Sequence, residues 1–203
     1  MIPFPTSVRA RFIAARAVSA VLIACTPLPE PPVARAPDGR SEIIVYIVRH
    51  AEKSAVNPAD PELTPAGYAR ADSLAVQLRD AGIDWVISSN RKRSLLTAQP
   101  LARLRNLDIE IVGLSGPLAA HVDSVAAAVN RRPGSPTLVV GHSNTVPLII
   151  AALGGPKFAD LCDHEHSNLF ILTLSRTAPV RLLAQRYGAP DPAGDGKCTP
   201  MGR

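Results

Sequence analysis

The sequence predicts an α/β domain: a three-layer sandwich with a mostly parallel sheet and helices on both faces. Three observations lead there. The apolar runs IIVYIV (43–48) and TLVVGH (137–142) lack polar alternation, as expected of strands covered on both faces. Between such runs, apolar residues recur at helical spacing. The alternation of strand and helix then continues from residue 43 to about residue 153, the pattern of a parallel sheet with crossover helices.

Each element has its own signal. After IIVYIV and a polar loop, Thr64-Pro65 reads as an N-cap followed by proline in the first helical turn. Ala71, Leu74, Ala75 and Leu78 form an apolar face, and Gly82 is placed to stop that helix. DWVISS (84–89) is the second strand, and a basic helix runs from about Arg91 to Arg105. IEIV (109–112) is a third strand. Leu118, Val122, Val125 and Val129 mark a further helix, closed by Arg131, Arg132 and Pro133. TLVVGH is the fourth strand and precedes a helix from about Thr145 to Leu153. NLFILTL (168–174) and VRLLAQRY (180–187) are a closing pair of strands.

The ends of the chain differ from this core. Of 203 residues 20 are proline, and they concentrate at the termini. Arg9, Arg11 and Arg16 precede AVSAVLIA, an apolar run too short to span a bilayer. It ends in LIAC (22–25), which resembles the bacterial lipobox, where cleavage precedes an acylated cysteine. Residues 1–24 are therefore expected to be a signal peptide, with Cys25 the lipid attachment site and 25–41 a stiff Pro-rich tether. Thr26, rather than aspartate, follows the cysteine, so the expected location is the outer membrane, facing the periplasm. Removing residues 1–24 takes away three arginines and no acid, lowering the formal charge from +5 to about +2. What remains has no block of basic residues interleaved with aromatics, so a nucleic-acid partner is not expected. In an oxidising compartment Cys162 and Cys198 form a natural pair, which would tie the Pro/Gly-rich tail (189–203) onto a domain spanning 42–188.

The strand ends carry the chemistry. In parallel α/β sheets, ligands bind outside the carboxyl ends of the strands. Arg49-His50 and Gly141-His142 both follow apolar strands, Ser88 and Ser89 end another, and Arg93 lies one turn into the next helix. Two histidines and two arginines thus converge on one rim. Guanidinium forks match tetrahedral oxyanions, and helix N-termini after Ser89 and His142 add N–H donors. A neutral imidazole in such a pocket can attack phosphorus, and a protonated one can stabilise the transition state. The arginines argue against a metal on the same rim, so no cofactor is expected.

VRHAEK (48–53), LTPAGYARA (63–71), SSNRKRSLLTAQPLA (88–102) and VVGHSNTVP (139–147) resemble, in order, the motifs of the histidine phosphatase superfamily, in its phosphoglycerate-mutase-like branch. The resemblance spans roughly residues 43–187. It implies a phosphoglycerate-mutase-like fold, His50 as phosphoryl-accepting nucleophile, and Arg49, Arg93 and His142 as the phosphate pocket. The implied activity is hydrolysis of phosphate esters on a small phosphorylated substrate. Hydrolysis is preferred to mutase chemistry, because the short loops offer little material for a lid.

Two departures qualify the resemblance. Ala51 stands where the family has glycine, followed by Glu52 and Lys53. The acid that many members use to protonate the leaving group is not obvious in IEIVGLSGPLAAHVDSVAAAV (109–129). Glu110 falls inside a strand, whereas His121 and Asp123 lie near a helix start, as candidate donors or as solvated helix residues. Without such an acid the protein would cleave phosphoramidates or phosphohistidine, or bind phosphate ligands without turnover. In CDHEHSNLF (162–170), His164 and His166 alternate on an extended segment, which is read as a loop at the pocket edge.

Overall fold

The computed structural model describes residues 42–194 and Cys198. The expected signal peptide, the lipid site Cys25 and the tether to residue 41 lie outside the described residues. The elements follow in the order β1 (Ile43–Arg49), α1 (Pro65–Gln77), β2 (Trp85–Ser88), α2 (Lys92–Arg105), β3 (Ile109–Ile111), α3 (Leu118–Asn130), β4 (Thr137–Gly141), α4 (Thr145–Ala152), β5 (Asn168–Leu174) and β6 (Arg181–Arg186).

One six-stranded sheet has the order β3-β2-β4-β1-β5-β6. β3, β2, β4 and β1 pair in parallel, and the antiparallel β5 and β6 close one edge. Helices cover both faces, so the three-layer expectation holds, with a mixed rather than wholly parallel sheet. The pleat sorts the core. Val45 and Ile47 of β1 and Val139 of β4 face α3 and α4, packing with Val125, Val129, Ile149 and Phe170. Val48, Leu138 and Val140 face the other way, onto Leu74, Leu78, Ala98 and Leu101 of α1 and α2.

Local signals explain the element ends. Thr64 Oγ1 accepts from the Gly67 N–H at 3.0 Å, with Pro65 in the first turn, as an N-cap requires. The helix stops at Gln77, before Gly82; that glycine, at φ +68°, instead turns the chain into β2. At Gly67 a side chain would collide with the Glu52 carbonyl, so the start of α1 lies directly against the segment after β1.

Strand direction decides what reaches the rim. The carboxyl ends of β1, β2 and β4 share one edge of the sheet, as the pairings Arg49 with Gly141 and Ser88 with Val140 show. Because β5 is antiparallel, its amino end arrives at that edge too, with Leu169 opposite Val48. β6 then leaves there, with Arg186 opposite Asn168. The segments 161–167 and 187–191 therefore border the same rim as His50 and His142.

The C-terminal segment is fastened at two points. Asp191 accepts from the His166 and Ser167 N–H groups at 2.9 Å each and pairs with Arg186 at 2.8 Å. Cys162 and Cys198 form a disulfide across a separation of 36 residues, with Cα atoms 5.7 Å apart. By loop-closure entropy, the Cys162→Ser/Cys198→Ser double variant should lose about 3–4 kcal/mol of stability. Urea unfolding without reductant measures it, and wild type in excess dithiol should fall to the same midpoint.

Candidate active site

The site is organised around the peptide that leaves β1. The His50 N–H continues the sheet by donating to the Gly141 carbonyl at 2.9 Å. One residue on, the Ala51 N–H donates to Thr97 Oγ1 at 2.9 Å, and that hydroxyl donates to the Arg93 carbonyl at 2.7 Å. β1 and α2, which carry His50 and Arg93, are thereby tied together. Ala51 is fully buried with Leu63 and Ala71, so its methyl group is accommodated where glycine is usual in the family that the motifs resemble.

His50 is 3 % exposed, and its Nδ1 lies 2.8 Å from the Ala51 carbonyl. A carbonyl only accepts, so Nδ1 carries the ring proton and Nε2 keeps its lone pair. Burial pushes the His50 pKa down to about 2, assisted by the charges of Arg49 and Arg93 and opposed by the Ala51 carbonyl. A neutral imidazole with a free Nε2 is the protonation state a nucleophile needs.

His142 stands edge-on to His50, with ring centroids 5.3 Å apart. Its N–H donates to Thr145 Oγ1 at 2.8 Å, and a side chain at Gly141 would press against that same oxygen. Its Nδ1 lies 3.4 Å from Arg93 Nη2, which can only donate, so Nδ1 is the acceptor. Nε2 therefore bears the proton and donates to Ser89 Oγ at 2.9 Å. Burial first, then Arg93, hold the His142 pKa down to about 3. A bound dianion beside it would raise that pKa, converting Nδ1 from acceptor to donor.

The arginines divide their donors. Arg49 Nη1 donates to the Cys162, Asp163 and Glu165 carbonyls at 2.7, 3.1 and 3.3 Å, gripping the disulfide-linked loop. Its Nε, like that of Arg93, is buried without a partner. Among the described residues four buried side-chain polar atoms lack a partner, and two are these guanidinium nitrogens at one site. Unmet cationic donors at a buried site call for an anion. Burial lowers the pKa of both arginines, the same cost seen from the protonation side.

The sequence-predicted residues therefore separate. Arg49, His50, Arg93 and His142 come together. His121 is buried at the start of α3, with Nδ1 3.1 Å from the Gly113 carbonyl, and its charge bears on His142. Asp123 lies on the exposed side of the same helix, and Glu110 pairs with Arg131 away from the site. Lys53 is exposed. His164 sits against Gly194, while His166 is buried beside His50 with ring centroids 5.9 Å apart. Among the described residues, no group of three or more His, Cys, Asp or Glu is placed to hold a metal ion. Sequence reasoning missed Thr97, Ser89 as a partner of His142, and His166 as a partner of His50. Thr97 had a readable signal, since it lies one helical turn beyond Arg93.

Comparison with known proteins bears on the fold. Residues 45–113, from β1 to just beyond β3, match the model of the histidine phosphatase superfamily (branch 1). The structure of the protein histidine phosphatase SixA complexed with tungstate is 20% identical, with a TM-score of 0.56, covering 70% of this chain and 96% of that one. The phosphoserine phosphatase of Entamoeba histolytica, in complex with 3-phosphoglyceric acid, is 16% identical with a TM-score of 0.53, covering 73% and 98%. A candidate phosphohistidine phosphatase SixA from Agrobacterium tumefaciens is 24% identical with a TM-score of 0.51, covering 74% and 99%. These likenesses establish the phosphoglycerate-mutase-like fold. No curated protein sequence matches the chain.

The buried histidines set a pH dependence of stability. Their folded pKa values lie below the unfolded value of about 6.5. Between those limits the unfolded chain binds more protons, so stability is complete above about pH 6.5 and falls as pH drops towards 3. Each such histidine contributes a slope of up to ~1.4 kcal/mol per pH unit. Urea titrations from pH 7 to 4 should show this decline, and a shallower one in His142→Gln.

Proposed function

We propose that this chain, whose residues 45–113 match the histidine phosphatase superfamily model, belongs to that superfamily and is a metal-independent phosphatase working through a phosphohistidine on His50. The observation that carries the reading is the bond from His50 Nδ1 to the Ala51 carbonyl, which leaves Nε2 as a free base. The unpaired Nε groups of Arg49 and Arg93 support it as seats for phosphate oxygens.

In the first step the Nε2 lone pair attacks phosphorus. The N–P bond forms as the bond to the leaving oxygen breaks, and the departing electron pair takes a proton. Arg49, Arg93 and a His142 protonated on Nδ1 hold the three equatorial oxygens. In the second step water attacks phosphorus and gives a proton back to the group that protonated the leaving oxygen, while the N–P bond breaks and its electron pair returns to Nε2. Inorganic phosphate leaves.

The leaving-group proton is assigned to His121, the buried member of the candidate pair. Asp123 is exposed, so the geometry gives that carboxylic acid no support in the role. That absence favours a narrower second reading, in which the substrate is a phosphoramidate or phosphohistidine with an easily displaced leaving group. The fold likeness to proteins described as SixA phosphohistidine phosphatases is consistent with it. We further propose that the protein is exported and lipid-anchored at Cys25, facing the periplasm from the outer membrane. The Cys162–Cys198 disulfide supports an oxidising compartment.

Hydrolysis of p-nitrophenyl phosphate tests the reading. Turnover should resist EDTA and vanish in His50→Ala; phosphate binding without turnover would mark the protein as a phosphate-ligand receptor instead. A second test addresses the proton donor. His121→Ala should slow an alkyl phosphate by about 10²-fold or more, the scale of general acid catalysis. The p-nitrophenyl ester, whose leaving group needs no proton, should change far less. Equal losses on both substrates would remove His121 from the role.

A further inference from the structure

We infer that His166 is a positioning residue for the nucleophile, clamping the peptide on which the tautomer of His50 depends. The inference rests on the reading of His50 as nucleophile and adds a residue that lies far outside the segment matching the family model.

Nδ1 of His166 lies 2.9 Å from the His50 carbonyl, 116 residues away in sequence. The carbonyl only accepts, so Nδ1 of His166 carries a proton and donates. The His50–Ala51 peptide is thus held at both ends: its C=O by His166 and its N–H by Thr97. The next carbonyl along the chain, that of Ala51, is the acceptor for His50 Nδ1. If the clamped peptide swings, that acceptor moves, and nothing else among the described contacts fixes which ring nitrogen of His50 is protonated.

The clamp is itself built in. His166 is 8 % exposed, and its backbone N–H donates to Asp191. Asp191 also receives the N–H and Oγ–H of Ser167 and is paired with Arg186. Arg70, salt-bridged to Glu52, donates to the Tyr187 and Ala189 carbonyls and so holds the same returning segment. The chain after β6, which the sequence presents as a tail, therefore supports the residue that orients His50. Burial, with the charge of Arg49, keeps the pKa of His166 lowered, which favours the neutral Nδ1–H form.

The test uses the full chain labelled with 15N-histidine, together with His166→Asn and His166→Phe. Asparagine keeps an N–H donor at the reach of Nδ1; phenylalanine keeps the volume without the donor. Long-range 1H–15N spectra at pH 7 should show His50 as the Nδ1–H tautomer in wild type and His166→Asn, and as a mixture in His166→Phe. In rapid-quench experiments with p-nitrophenyl phosphate, His166→Phe should form phosphoenzyme about 10²-fold more slowly, as expected for a misplaced nucleophile. Inhibition by inorganic phosphate should be nearly unchanged, because the arginines are untouched. A pure Nδ1–H tautomer in His166→Phe would overturn the inference, as would equal loss of rate in both variants. Should wild type form no phosphoenzyme while the tautomer still responds to His166→Phe, the nucleophile reading fails and the clamp stands.

Discussion

The hydrogen bond from His50 Nδ1 to the Ala51 carbonyl is the contact on which the site depends. It consumes one ring nitrogen and leaves the other as a base. Its geometry is set by backbone, not by a mobile side chain, and that backbone is anchored to β4, to α2 and to the loop before β5. Burial, with the charges of Arg49 and Arg93 beside it, then keeps the ring neutral. A neutral, oriented imidazole is therefore a consequence of the fold before any substrate arrives, which is what preorganisation means here.

The second constraint is excess positive charge in a buried place. Arg49 is 4 % exposed, and a buried guanidinium normally fills its donors. Here it spends Nη1 on three carbonyls of the 162–165 loop and leaves Nε unmet. The carbonyls hold the side chain rigid, and its long contact with a carboxylate, Asp163 Oδ1 at 3.5 Å from Nη2, is to a fully exposed side chain. The disulfide bears on the same arrangement, since the Cys162 carbonyl is the shortest of the three contacts. Arg93, from α2, also leaves its Nε unmet, and its Nη2 lies 3.4 Å from His142 Nδ1. Such a pocket loses stability when empty and recovers it when a dianion supplies acceptors.

Much of this was legible in the sequence because it follows from strand ends. Apolar runs that stop at Arg49-His50 and at Gly141-His142 fix which side chains reach the rim once the strands are parallel. The difference in burial between His121 and Asp123 was also within reach. His121 lies four residues before Val125, on the apolar face of α3, whereas Asp123 falls on the opposite side. His166 was harder. Its contact with His50 spans 116 residues and depends on β5 running antiparallel, which local periodicity does not report. The neighbouring His164 alternates with it along the same segment, yet the two rings part, one to Gly194 and the other to His50. Asp191 was hidden by composition, because a Pro/Gly-rich stretch does not advertise a buried hydrogen-bond hub.

The central claim is that phosphorus bonds covalently to His50, and the direct measurement is to trap that bond. Enzyme mixed with p-nitrophenyl phosphate in EDTA and quenched in alkali within the first turnover should carry a phosphoryl group that survives base and is lost in acid. Peptide mapping should place it on His50. Steady turnover with no phosphoenzyme, or a phosphoryl group on another residue, would contradict the account.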